Sequence, residues 1–166
     1  MGLTDERKGK YMDGFQALSD ISKADPVSLP VGSGVAISKG DCVIITSGVL
    51  ALATTLVDIT QMIYIALGEN TAAEASSDGA VSCLCLPTVN SNITFQVPVT
   101  ANAVLDADDI GAAYNLDGSE DGITIAAALT KDVGFLVERI DISAEAIAIE
   151  TFGYAIGRFV TQAETT

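Results

Sequence analysis

Histidine and tryptophan are both missing from this chain of 166 residues, and only 5% of it is aromatic. Without histidine there is no Ser/His or Cys/His nucleophile–base pair and no imidazole to hold a metal. Four Tyr and five Phe are too few for a base-stacking platform or a sugar-stacking cleft. Basic residues are scarce too: eight Lys and Arg against 22 Asp and Glu leave a net charge of −14. So acidic a chain repels phosphate backbones and anionic lipid, so neither nucleic acid nor a membrane is an expected partner. The three cysteines are odd in number and cannot complete a disulfide framework. Cys83 and Cys85 alternate along a strand-like run, which places them on one face as small buried hydrophobes, not as a bridge. The longest apolar stretch, Val43 to Val57, is interrupted by Thr46, Ser47 and Gly48 and is too short to span a bilayer. The opening MGLTDERKGKYMDG lacks the apolar core of a signal peptide, and Glu6 stands where a myristoylation pattern takes Ser or Thr. The expectation is a soluble product made inside a cell, with no cofactor and no metal.

What is present is apolar. Hydrophobic residues make up 49% of the chain and the mean hydropathy is +0.42, which excludes disorder as an overall description. Charge is unevenly placed. Residues 1–23 hold four basic and four acidic groups, while the remaining 143 hold four basic and eighteen acidic ones. Between Lys39 and Lys131 there is no Lys or Arg in 91 residues. Such a body either leaves its acids solvated or meets basic groups on something else.

The first 30 residues read as an arm and linker, and residues 31–166 as a β-rich domain. Tyr11, Phe15 and Leu18 fall at i, i+4 and i+7, with Met12 and Ile21 close to the same stripe, so the arm has room for a short helix. Gly9 and Gly14 weaken that helix, and Asp25-Pro26 and Leu29-Pro30 force an extended exit. The arm carries the basic cluster Arg7, Lys8 and Lys10 and is expected to dock on another subunit; the alternative is a terminal helix that packs back on its own body.

Beyond residue 30 the pattern has period two, broken by Gly, Asn, Asp and Pro. Strands are expected at 35–38, 42–46, 49–54, 62–67, 81–86, 93–100, 123–127, 133–140, 146–151 and 153–160. Lys39-Gly40-Asp41 reads as a hairpin turn, residues 69–79 as a loop, and Pro98 as the mark of an edge or bulge. Residues 103–113 form the most helix-like piece of the body. About ten short strands at this spacing imply a mainly β fold, a small barrel or sandwich.

Motifs for chemistry are few. Asp117-Gly118-Ser119-Glu120-Asp121-Gly122 opens like a calcium loop, but Ala128 stands where the closing bidentate Glu belongs. These acids, with Asp106, Asp108 and Asp109, read as solvated turn residues. Only Tyr114 accompanies them, which is no cleft for glycoside hydrolysis. Gly32-Ser33-Gly34 lacks the spacing of a phosphate-binding loop and reads as a flexible turn. No residue is assigned a catalytic role, and no enzyme activity is expected. The apolar surplus points to surface covered by other subunits.

Two stretches resemble the capsid decoration, or cement, proteins of tailed bacteriophages. One is MIYIALGENTAAEASSDGAVSCLCL, residues 62–86; the other is IGAAYNLDGSEDGITI, residues 110–125, with the strands that follow. The resemblance is one of rhythm and small motifs over about two thirds of the chain. It implies a β-tulip-like domain on the outer surface of a virion, a homotrimer that clamps neighbouring major capsid proteins. It also implies that Arg7, Lys8, Lys10, Tyr11, Met12, Phe15, Leu18 and Ile21 make part of the contact with the shell or with a neighbouring protomer. The alternatives are a displayed β-domain that binds a host glycan or receptor, another phage structural component such as a tail or neck protein, and, third, an enzyme working with carboxylates alone or with a metal.

Overall fold

The computed structural model describes residues 14–18, 21, 24–53, 63–88, 93–101, 105–114, 123–124 and 133–161. Among them are eleven strands, one short helix and one 3-10 turn. Five strands form one antiparallel sheet: β2 (Val27–Pro30), β3 (Cys42–Thr46), β4 (Val49–Leu52), β5 (Ile63–Ala66) and β6 (Ser82–Pro87), in the order β2-β6-β5-β3-β4. The second sheet takes β1 (Gln16–Ala17), β7 (Phe95–Ala101), β8 (Ala113–Tyr114), β10 (Val133–Asp141) and β11 (Tyr154–Thr161), in the order β1-β7-β11-β10-β8. A two-residue strand, β9 (Ile123–Thr124), runs parallel to β7. The fold is mainly β and sandwich-like, and it is not closed into a barrel.

The inter-sheet core is built from alternating positions. Cys42, Ile63, Ile65 and Leu86 of the first sheet meet Phe95, Val97, Val99, Phe135, Val137 and Phe159 of the second. The opposite face of the first sheet is buried as well. Val43, Leu50, Tyr64, Ala66, Cys83 and Cys85 form a second cluster, closed by Val31, Ile37 and Ala75 from the loops around 31–37 and 69–80. A strand buried on both faces needs apolar residues at every position, and β5, with sequence IYIA, is buried at all four.

Those two loops are knitted together. Gly34 donates to the Ala75 carbonyl at 2.6 Å, Ile37 and Asn70 exchange backbone bonds, and Gly79 donates to Val31. The first sheet also curls until its edges touch. Val31, directly after β2, forms a parallel bridge with Leu50 of β4, and the Gly32 N–H reaches the Leu50 carbonyl at 3.0 Å.

Three expectations are corrected. The segment around Ile147 and Ile149 is not a strand but a helix, α1 (Ala144–Ile149). Ser143 caps it by accepting the Ala146 N–H, and the alanines that make the I-A-I alternation look like period two are strong helix formers. Of the expected helix-like piece 103–113, the described residues 105–113 contribute only the 3-10 turn Ala107–Asp109 and the start of β8. Residues 35–38 hold a single bridge, Ile37 to Asn70, and no strand. Pro98 lies inside the second sheet, opposite Tyr154 of β11. Val99 donates to Gly153 on the β11 side, so the ring nitrogen of Pro98 faces the other edge, between the pairings of β7 with β1 and with β9.

Candidate partner-binding site

The N-terminal segment enters the described structure through a close contact of two glycines. Phe15 donates its N–H to the Gly40 carbonyl at 2.8 Å. Gly14 has φ +79, and a Cβ there would sit 2.7 Å from the Gly40 oxygen, so only glycine fits. Gln16 and Ala17 then pair with Gln96 and Phe95, and the Leu18 N–H bonds to the Thr94 carbonyl. Gln16–Ala17 is therefore strand where the stripe of Tyr11, Phe15 and Leu18 predicts helix. Likewise β2 is a full member of its sheet, so residues 27–30 are body and not linker.

The side chains expected in a docking arm separate into three groups. Arg7, Lys8, Lys10, Tyr11 and Met12 lie outside the described residues. Phe15 is only 2% exposed and belongs to the chain's own core, with ring centroids 6.4 Å from Phe95, 5.9 Å from Phe135 and 5.1 Å from Phe159. Its ring is covered by three rings of its own body, so it is a core residue and not an exposed docking side chain. Ile21 is half-buried against the same core, whereas Leu18 is 45% exposed.

Beside this entry point the space between the sheets opens into a groove of about 410 Å³. Its walls are mainly apolar, from Phe15, Ala17, Ile21, Leu67 and Leu84, with Gln16 as a polar member, and Lys39 is the one charged group that lines it among the described residues. Leu84 is on the inter-sheet side of β6, flanked by Cys83 and Cys85 on the other, yet it is 46% exposed because the second sheet does not reach over it. Neither Lys39 nor Leu84 stands out by motif. The signals were there: Lys39 is the only basic residue between Lys23 and Lys131, and the Cys83-Leu84-Cys85 alternation puts Leu84 opposite the thiols.

Of the acidic cluster singled out in the sequence, the members that the structure describes serve a turn. Asp106 accepts the Asp108 N–H at 2.8 Å, and Asp109 accepts the Asp106 N–H at 2.8 Å, which closes a capping box. The Tyr114 hydroxyl donates to the Asp109 carboxylate, and burial together with that bond pushes the phenol up to about 12. The calcium-like loop at 117–122 lies outside the described residues. Gly32-Ser33-Gly34 is no flexible turn: its three N–H groups donate to Leu50, to the Asp78 carboxylate and to Ala75. It has none left for a phosphate.

All three thiols are free and buried. Burial, with the Asp41 charge beside it, drives the Cys42 thiol far above its ordinary range. Cys85 is raised by its hydrogen bond with Cys83 and by burial. Among the described residues no group of three His, Cys, Asp or Glu could hold a metal ion. No helix among them is long and apolar enough to cross a membrane. No protein-family model, curated protein or solved structure matches the chain.

Proposed function

We propose that this chain is a structural virion protein that binds the outer surface of a bacteriophage capsid and stabilises contacts between major capsid proteins, as a homotrimer. The observation that carries the reading is the placement of Leu18. It is nearly half exposed, and it follows directly on a segment pinned to the body through Phe15. The adjoining residues 1–13 hold Arg7, Lys8 and Lys10, three of the eight basic groups, on a chain whose remaining body is strongly acidic. An anchored apolar residue next to a charge-balanced segment is where an acidic body makes a contact without repulsion. Adhesion of this kind needs burial and no chemistry. An interface of about 1,600 Å² in total gives useful affinity, and many copies on one lattice add avidity.

The test is sedimentation of the full chain, alone and with undecorated phage capsids. The expected result is a discrete oligomer that co-sediments with capsids at saturating stoichiometry, and a Leu18→Asp variant that stays folded but is lost from the pellet. A monomer that ignores capsids would overturn the reading.

A further inference from the structure

The groove between the sheets has a chemistry that a structural role does not use. We propose that it binds an aliphatic chain ending in a carboxylate, with the chain lying against Phe15, Ala17, Leu67 and Leu84 and the carboxylate on Lys39. The walls are apolar and preformed: Phe15 is locked among three phenyl rings, and Ala17 and Leu67 are held by backbone pairing to Phe95 and to Leu84. A space of about 410 Å³ has the size of small-ligand sites and suits a chain on the order of ten carbons.

The charge at its rim selects the head group. Lys39 is exposed, and among the described residues it makes no ion pair. Its backbone is fixed, since Gly40 on its C-terminal side donates to Ala66 and accepts from Phe15. The neighbouring acid, Asp41, is buried and accepts the Ser38 N–H at 2.8 Å. A cation that stands alone among the described residues beside this groove, on a chain with 22 acidic residues, favours an anionic amphiphile over a neutral one of the same chain length and disfavours a cationic one. Each methylene taken out of water tightens binding roughly fourfold, which supplies affinity, while the cation supplies the preference.

Sodium decanoate is the probe, titrated into the full isotopically labelled chain and followed by backbone amide shifts. Saturable shifts are expected at Phe15, Ala17, Leu67 and Leu84, with a dissociation constant below about 1 mM. Lys39→Met should weaken decanoate about threefold while binding of uncharged decyl glucoside is unchanged. Leu84→Glu, at an exposed position, should abolish decanoate binding with amide dispersion retained. If that variant loses its dispersion, Lys39→Met decides alone. Shifts that do not saturate, that fall elsewhere, or that ignore Lys39→Met would overturn the proposal. Loss of capsid binding in the sedimentation test would leave this result untouched.

Discussion

The ring of Phe15 lies 5.1 Å from that of Phe159 and is tilted by 36° to it. A residue from the beginning of the chain thus packs on the last described strand, and Phe95 and Phe135 meet the Phe159 ring edge-on at 5.4 and 5.5 Å. This four-ring cluster joins the N-terminal segment to the core of the sandwich.

Phe15→Ala should therefore cost about 3–5 kcal/mol, the usual loss for emptying a buried phenyl site. Removal of residues 1–22 should cost at least as much, because it also strips β1 from β7. Urea denaturation followed by circular dichroism checks both. A truncated chain as stable as the full one would mean that Phe15 contributes nothing to the core.

Gly157 sits opposite Val137, where β10 carries a bulge before Arg139. A Cβ at 157 would overlap the Leu136 carbonyl. Since the obstacle is backbone and not a side chain that can turn aside, Gly157→Ala should destabilise by about 3 kcal/mol or more. Gly34→Ala is the control. Its φ is +74 with nothing within 4 Å of the added carbon, so only the backbone strain of about 1 kcal/mol applies.

Tyr114 should ionise late, above the ordinary phenol value of 10.0. With its phenol raised to about 12, its bond to Asp109 is intact below pH 10 and is lost as pH rises through the folded value. Ultraviolet titration should show a late step that disappears in Tyr114→Phe and moves to lower pH in Asp109→Asn.

Cys42 makes stability fall in alkali. Its folded pKa lies above the ordinary value of 9.0, so the unfolded chain loses this proton first. The stabilisation is complete below pH 9 and drains away above it, with a slope approaching about 1.4 kcal/mol per pH unit. Thermal melts from pH 8 to 10.5 should fall less steeply in Cys42→Ala than in the parent, whatever that substitution does to the melting point at pH 8.

The strands that were legible in the sequence are those with a β-branched run, as in Cys42–Thr46, or an apolar alternation, as in Ser82–Pro87 and Tyr154–Thr161. Period-two reasoning failed at Ala144–Ile149, where a capping Ser143 outweighs the alternation of Ile147 and Ile149. Helical-stripe reasoning failed at Phe15, because the i, i+4, i+7 spacing says that a residue is buried on something without saying what. Only the fold brings Phe95, Phe135 and Phe159 together to receive it. The groove was invisible for a similar reason: Leu84 and Lys39 are 45 positions apart and become neighbours only when β6 meets the Phe15 segment.

The touch between Val31 and Leu50 has a consequence for life at high concentration. An open five-stranded sheet offers its outermost strands as templates on which further chains can add, the route to fibrous aggregates. Here one outer strand runs straight into the other through the Val31 bridge, and Pro26 and Pro30 remove two N–H donors at the ends of β2. Copies of this protein can crowd side by side without their five-stranded sheets growing into one another.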